Sequence, residues 1–166
     1  MKKIGVFYGT DGGNTRDIIE QIADQIGKEN VEIKDISKAS KDEVLGFDNL
    51  ILATPTYGAG DLQSDWDDII GDFSESDFAG KTIALVGIGD QDSYSDTFAD
   101  GISAIYAVAK GGNVIGQTST DGYEFDDSQS VVDGKFVGLI LDQDNQDDLT
   151  DERIKNWVSD IKSKFQ

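Results

Sequence analysis

The chain has 166 residues, 33 of them acidic and 14 basic, and its formal net charge of −19 disfavours binding to nucleic acids or anionic membranes. This length suits one domain, and a hydrophobic content of 37% predicts a folded protein rather than a disordered one. Cysteine and histidine are both absent, which excludes zinc, iron–sulfur and histidine-ligated haem sites together with thiol and histidine-based catalysis.

The N-terminal segment lacks the pattern of a secretion signal. Its apolar stretch is interrupted at Gly5 and ends at Thr10 and Asp11, and no apolar run in the chain approaches the length of a membrane span. We therefore expect a cytoplasmic protein that does not enter a membrane.

Apolar runs recur along the chain with helical patterns between them. These runs are 4–8, 31–36, 50–53, 83–88, 114–115 and 136–141. The middle ones are nearly continuous, as is typical of parallel strands covered on both faces, whereas 31–36 alternates and indicates a half-exposed edge strand. Between the runs, apolar residues share one helix face, as Ile18, Ile22 and Ile26 do. The alternation predicts an α/β domain with a doubly wound parallel sheet, spanning residues 1–166 as a single unit.

One segment breaks this alternation. Residues 116–135 read "GQTSTDGYEFDDSQSVVDGK", about twenty residues without helical periodicity, in the place where a fifth strand is expected to run. We interpret this segment as an insertion in the last strand, and its motifs assign it no role.

The loops that follow the strands are the expected place for a ligand, because open parallel sheets bind ligands beyond the carboxyl ends of their strands. The first such loop reads "GTDGGNT" over residues 9–15. Its glycines allow the backbone to approach an anion, its hydroxyl and amide side chains can donate hydrogen bonds, and the following helix offers free N–H groups. The loop matches neither the P-loop nor the GxGxxG pattern, which disfavours ATP and Rossmann dinucleotides.

The loops after the third and fourth strands each carry a tyrosine among small and polar residues. Tyr57 lies in "TPTYGAGD" and Tyr94 in "GIGDQDSYSDTF". Two tyrosines on neighbouring loops above an anion site can enclose a flat ring system, and the glycines around them let peptide groups reach the ring edge. The pattern therefore predicts a phosphorylated ligand with an aromatic ring.

These motifs, in this order, closely resemble those of bacterial flavodoxins of the long-chain kind. The resemblance covers nearly the whole chain and rests on "GTDGGNT", "PTYGAGDLQSDW", "GIGDQDSY", "TDGYEF" and "GKFVGLILDQDNQDDLTDERI". It implies a flavodoxin-like fold, namely a five-stranded parallel sheet of order 2-1-3-4-5 with the insertion in the last strand. It also implies non-covalently bound FMN and the transfer of single electrons between proteins.

The resemblance implies a set of cofactor-binding positions and no metal site. The phosphate loop would be Thr10, Asp11, Gly12, Gly13, Asn14 and Thr15. One ring face and the ribityl chain would contact Pro55, Thr56, Tyr57, Gly58, Ala59 and Gly60, and the other face and the pyrimidine edge would contact Gly87, Gly89, Asp90 and Tyr94, with Asp144 near the ribityl hydroxyls. Two positions depart from the family pattern: Tyr57 replaces a frequent tryptophan and Gly12 replaces a frequent hydroxyl residue, and both changes could weaken binding.

The function implied by the resemblance is that of a low-potential electron carrier rather than an enzyme. FMN would cycle between semiquinone and hydroquinone, with the Gly58 carbonyl accepting a hydrogen bond from flavin N5 in the one-electron state. The surrounding carboxylates would disfavour the anionic hydroquinone and so lower the reduction potential. The implied partners are redox proteins with basic surfaces, such as a flavodoxin/ferredoxin reductase or a 2-oxoacid oxidoreductase, and carriers of this kind are usually monomeric.

Two other functions remain as alternatives. A flavin enzyme of the same scaffold could take hydride from NAD(P)H to reduce quinones, but this needs an open flavin face, whereas Tyr57 and Tyr94 are expected to cover both. A phosphoacceptor receiver would need paired acids after the first strand and an aspartate after the third, where Gly9 and Thr56 stand.

The acidic segment 142–152 superficially resembles a calcium-binding loop. Its sixth and twelfth positions are Asp147 and Arg153 rather than the glycine and glutamate of an EF-hand. We interpret these acids as the start of a helix. Trp66 and Trp157 lie on apolar helix faces and are expected in the core.

Overall fold

In a computed structural model that describes residues 1–166, the protein folds into a parallel sheet with helices on both faces. Its strands are β1 (Ile4–Tyr8), β2 (Val31–Asp35), β3 (Asn49–Tyr57), β5 (Thr82–Ile88), β6 (Asn113–Ile115) and β10 (Leu139–Leu141), and β4 (Asp61–Leu62) pairs antiparallel with the end of β3. The path β10-β5-β3-β1-β2 runs across the sheet, with β6 also paired to β5. Counting β6 and β10 as two parts of one strand, this is the predicted 2-1-3-4-5 order.

Five helices cover the sheet. They are α1 (Asn14–Ile26), α2 (Lys41–Leu45), α3 (Ser64–Ile70), α4 (Gly101–Ala109) and α5 (Asp147–Ile161), and single 3-10 turns occur at Lys28–Asn30, Ile36–Lys38, Glu75–Phe78 and Lys162–Lys164. None of these helices is long and apolar enough to cross a membrane.

Two hydrophobic cores lie on opposite faces of the sheet, as a doubly wound fold requires. The larger core joins the apolar faces of α1 and α5 to the strands and includes Ile18, Ile22 and Trp157. The other joins α2, α3 and α4 to the opposite face and includes Trp66 and Ile102. Both tryptophans are therefore core residues, as predicted, and each indole N–H donates to a backbone carbonyl, of Ala53 and Gly116 respectively.

The last strand is divided by the insertion. The first part, β6, pairs with the beginning of β5 through Ala84 and Ile115, and the second part, β10, pairs with its end through Val86 and Leu139. The intervening chain forms a small antiparallel sheet of order β7-β9-β8, with β7 at Thr118–Ser119, β8 at Val131–Val132 and β9 at Lys135–Phe136.

Two strand boundaries differ from the sequence prediction by more than one residue. The predicted last strand at 136–141 begins only at Leu139, because Phe136 belongs to the small sheet and packs its ring against Phe98 and Tyr123. The third strand is longer than predicted and continues to Tyr57, so that Pro55 and Thr56 lie in a strand rather than a loop.

The helix starts follow local capping. Ser40 and Glu43 form the reciprocal capping box of α2. For α3 the N-cap is the buried Gln63, whose side-chain oxygen accepts the N–H of Trp66.

Candidate functional site

A cavity of about 300 Å³ lies at the carboxyl edge of the sheet, where the loops after β1, β3, β5 and β10 meet. This is the edge at which parallel sheets bind ligands. Its lining residues come from all four segments: Thr10, Gly12, Asn14, Thr15, Pro55, Thr56, Tyr57, Ile88, Gly89, Asp90, Tyr94, Thr97, Ala99 and Asp144.

The loop between β1 and α1 leads directly into the helix N-terminus. Gly13 has a φ of 87°, a left-handed conformation that glycine adopts without steric cost, and its N–H donates to Thr10 Oγ1 at 2.9 Å. A Cβ added at Gly12 or Gly13 would meet no atom within 4 Å, so the space above this loop is free. No side chain caps α1, so its first N–H groups stay available to an anion.

Arg16, the cation nearest this loop in sequence, is directed elsewhere. Its exposed guanidinium lies 3.7 Å from the carboxylate of Glu20, one turn further along α1. Anion binding at this loop therefore depends on backbone N–H groups, hydroxyls and the helix dipole.

The end of β3 and β4 form a tight hairpin that supplies one wall of the cavity. Thr56 pairs with Leu62 and Tyr57 with Asp61, and the turn between them contains Gly58 with a φ of 50°. Burial and the neighbouring Asp11 carboxylate raise the pKa of Tyr57 to about 12, so its phenol stays protonated at neutral pH.

The loop after β5 supplies the opposite wall. The Asp90 carboxylate accepts the N–H groups of Asp92 and Ser93, which winds the loop into a turn and lowers the Asp90 pKa. Tyr94 follows this turn and keeps 43% of its surface exposed, the largest exposure of any aromatic residue in the protein. A large apolar ring at the mouth of a cavity is suited to stacking against a ligand.

A buried carboxylate joins this loop to the chain after β10. Asp142 is fully buried and accepts the backbone N–H of Gln91 at 3.0 Å and its side-chain amide at 2.7 Å. On its other side Asp142 accepts the backbone N–H of Asn145 at 3.0 Å. The Gln91 side-chain oxygen in turn accepts the N–H of Glu124, in the insertion.

Three carboxylates approach one another here, those of Asp90, Asp142 and Asp144, with oxygens within 4.8 Å. Burial, together with the charges of Asp90 and Asp142, raises the pKa of Asp144. Since Asp90 and Asp142 already accept N–H groups from Ser93, Gln91 and Asn145, hydrogen bonds within the protein account for this cluster.

The structure brings most of the sequence-predicted site residues to this cavity. Those that line it are Thr10, Gly12, Asn14, Thr15, Pro55, Thr56, Tyr57, Gly89, Asp90, Tyr94 and Asp144. Those that do not line it are Asp11, Gly13, Gly58, Ala59, Gly60 and Gly87. Gly87 lies within β5, where a Cβ would come within 2.8 Å of Ile102 Cγ2, so its small size serves packing against α4.

Three lining residues were not predicted from the sequence: Ile88, Thr97 and Ala99. Thr97 and Ala99 follow the tyrosine motif and have no distinctive residue type, so only the folded loop reveals them. The Thr97 hydroxyl is buried and has no hydrogen-bond partner within the protein. An unsatisfied buried hydroxyl beside a cavity fits a ligand with polar groups at its edge.

Comparison with known proteins identifies one protein family over nearly the whole chain. Residues 6–157 match the family model described as Flavodoxin. A flavodoxin of Helicobacter pylori is 58% identical over 165 residues, covering 99% of both chains, and one of Nostoc sp. is 46% identical over 166 residues, covering 99% of this chain and 98% of its own.

Solved structures agree with these sequence matches. The crystal structure of Fusobacterium nucleatum flavodoxin bound to flavin mononucleotide matches with a TM-score of 0.94 and 39% identity, and the match covers 100% of both chains. Flavodoxin 2 from Bacillus cereus, at 22% identity and a TM-score of 0.72, shares the fold. The chain belongs to the flavodoxin family.

Proposed function

We propose that the protein is a low-potential one-electron carrier that binds FMN non-covalently and cycles between its semiquinone and hydroquinone forms. The observation that carries the proposal is the cavity, where an anion-binding loop and two tyrosines lie at one edge of the sheet. The flavin mononucleotide bound by the Fusobacterium relative, at 39% identity, supports the choice of ligand. FMN would supply the redox chemistry, and the protein would supply binding, orientation and electrostatics.

The cofactor-binding set we propose keeps all the predicted positions, whether they line the cavity or support those that do. It is Thr10, Asp11, Gly12, Gly13, Asn14, Thr15, Pro55, Thr56, Tyr57, Gly58, Ala59, Gly60, Gly87, Gly89, Asp90, Tyr94 and Asp144, and we now add Thr97. The residues of the first loop and the start of α1 would hold the phosphate through N–H and hydroxyl groups. Tyr57 and Tyr94 would contact opposite ring faces and exclude water.

Gly58 is the residue that we propose tunes the one-electron state. It has a φ of 50° at an exposed turn, and a Cβ there would meet only the Asp61 carboxylate, at 3.4 Å. The peptide after Gly58 thus has room to rotate and present its carbonyl to flavin N5. A hydrogen bond of this kind contributes about 0.5–1.5 kcal/mol, which favours the one-electron state by that amount.

The distribution of charge supports partners with basic surfaces. Between residues 42 and 152 the only basic residues are Lys81, Lys110 and Lys135, although three of the four cavity loops and their acids fall in this range. A negative edge around the cavity would steer a positive partner so that electron transfer occurs there. We propose flavodoxin/ferredoxin reductases and 2-oxoacid oxidoreductases as the partner classes, met in the cytoplasm by a monomeric carrier.

An anaerobic reductive titration of the FMN-reconstituted protein, followed by visible absorption, tests the function. A carrier gives a long-wavelength absorbing one-electron form before full reduction. Direct two-electron reduction, with rapid reduction by NAD(P)H alone, would instead establish the quinone reductase alternative. A protein that does not bind FMN would contradict both.

The same titration of Gly58→Asn tests the role of this turn. Asparagine tolerates a left-handed φ, so the turn is kept, but its side chain hinders rotation of the peptide. We expect a smaller maximum yield of the one-electron form. Gly122→Asn is the matched control, because Gly122 also has a left-handed φ of 89° but lies outside the cavity. An equal yield in both variants would contradict the role of Gly58.

A further inference from the structure

The loop between β5 and α4, residues 89–100, contains a strained residue in the cavity wall. Ala99 lines the cavity and has a φ of 53°, a left-handed conformation that side chains other than glycine rarely adopt. Strained residues of this kind persist only where the surrounding structure holds them in place. The contacts of Ala99 and its neighbours therefore identify what shapes this wall.

The insertion provides those contacts. The buried Ser128 hydroxyl donates to the Phe98 carbonyl at 2.5 Å, and the buried Ser130 hydroxyl donates to the next carbonyl, that of Ala99, at 2.7 Å. Ser128 Oγ also accepts the N–H of Ser130 at 3.1 Å, which fixes the two serines relative to each other. Two consecutive carbonyls of the loop are thus oriented by one short stretch of the insertion.

Further hydrogen bonds extend this attachment in both directions. The Ser95 carbonyl accepts the N–H groups of Asp126 and Asp127, and the N–H of Phe98 donates to the Asp127 carbonyl at 3.2 Å. At the other end, the N–H of Gln129 donates to the Asp100 carboxylate at 2.7 Å. Residues 126–130 therefore run alongside the strained part of the loop, and none of these five residues lines the cavity.

We infer that Ser128 and Ser130 are positioning residues of the cofactor site, which hold Ala99 in its left-handed conformation and so preset the wall formed by Thr97 and Ala99. Without these hydroxyls, relaxation of Ala99 would rotate the adjacent peptides and move the wall. The inference rests on the proposed function only where it concerns FMN. Its structural part applies to the protein without cofactor.

Two measurements on Ser130→Ala test the inference. The first is amide hydrogen exchange of residues 97–101 in the cofactor-free protein, which we expect to be faster than in the wild type. The second is the dissociation constant for FMN, followed by quenching of flavin fluorescence, which we expect to rise about three- to tenfold, as loss of one hydrogen bond allows. Ser119→Ala, an exposed serine of the same insertion, is the matched control.

A second background separates positioning from simple loss of stability. Glycine adopts the left-handed conformation without strain, so in Ala99→Gly the Ser130 hydroxyl is less needed to keep residue 99 in that conformation. We expect Ser130→Ala to weaken FMN binding less in this background than in the wild type. Equal weakening in the two backgrounds would overturn the inference. Should Ser130→Ala not fold, Ser128→Ala takes its place in the same comparison, with Ser130→Thr as a control that keeps the hydroxyl.

The outcomes distinguish this inference from the proposed function. If the wild type fails to bind FMN, the proposed function fails, and amide exchange alone decides the inference. If the wild type binds FMN but Ser128→Ala and Ser130→Ala match Ser119→Ala in affinity and exchange, the positioning role is overturned and the function stands.

Discussion

Asp142 shows how one buried side chain can hold several segments of the site. Its carboxylate receives N–H groups from Gln91 and Asn145, which lie in two different cavity loops. Truncating it would leave the two N–H donors of Gln91 buried without an acceptor, and each such group costs about 1–3 kcal/mol. In the sequence Asp142 is one of many acids that follow a strand, so only the folded structure reveals that it is buried.

We predict that Asp142→Ala lowers the free energy of unfolding by about 2–3 kcal/mol. The cause is the loss of the acceptor for Gln91 and Asn145. Urea denaturation followed by circular dichroism measures the change. Asp121→Ala serves as the control, since Asp121 is exposed in the insertion. A similar, small effect of both substitutions would show that Asp142 does not hold these loops together.

Asp100 provides a prediction about pH. Burial raises its pKa, even though the Gln129 N–H acts in the opposite direction. A carboxyl whose pKa is higher in the folded than in the unfolded state destabilises the fold as it ionises. This cost is absent below the unfolded pKa and develops as pH rises through the folded pKa.

We therefore expect Asp100→Asn to gain stability relative to the wild type as pH increases from about 4 to 7. The asparagine oxygen can still accept the Gln129 N–H, so the difference reports the charge. Urea denaturation of both proteins at the two pH values measures it. A stability difference that is constant or shrinks over this range would contradict the burial of an ionised Asp100.

At the scale of the elements, sequence patterns worked best where the elements are long. The apolar runs located every parallel strand of the main sheet, most clearly β1 and β5, because continuous burial on both faces leaves a strong signal. They did not predict the antiparallel β4, which has two residues. The strands of the small sheet have two residues each, which is too short for any periodicity. The apolar run that ends at Ala53 predicted a loop from there, yet β3 continues to Tyr57, because the second half of the strand pairs with β5 and β4 rather than β1.

The junction between β6 and the insertion depends on Gly116. This residue has a φ of 80°, and a Cβ there would lie 2.6 Å from Trp157 Nε1, whose N–H donates to the Gly116 carbonyl. Gly134, at the other end of the insertion, has a nearly identical φ of 82° but open space where a Cβ would be. Replacing either glycine would strain the left-handed backbone, but only at Gly116 would the new Cβ also collide with a neighbouring side chain.

We predict that Gly134→Ala costs about 1 kcal/mol, from the left-handed conformation alone. Gly116→Ala should cost a further 1–3 kcal/mol or so, because the indole of Trp157 must also shift. Urea denaturation of the two variants measures the difference. Equal costs would mean that α5 yields to the new methyl group and that the close contact does not fix the junction.

For the whole molecule, charge is the dominant feature. With 33 acidic and 14 basic residues, most carboxylates have no basic partner, and the compact state brings them closer together than the unfolded chain does. Nine ion pairs form, and the side chains in nearly all of them are well exposed, so they offset little of this repulsion. A site that binds a phosphate in such a protein must work through local donors, because the overall field opposes it.

We predict that added sodium chloride stabilises the cofactor-free protein at neutral pH, since it screens repulsion between carboxylates. The charge variant Asp68→Lys/Asp72→Lys tests the cause: both residues are exposed at the C-terminal end of α3, neither lines the cavity, and the double substitution makes the net charge of −19 less negative by four. At low salt this variant should be more stable than the wild type by about 0.2–1 kcal/mol per substitution, and it should gain less from added salt. Urea denaturation across a salt series measures both effects. If the variant and the wild type gain equally, the stabilisation comes from specific ion binding, for example of an anion at the loop before α1, rather than from screening of the net charge.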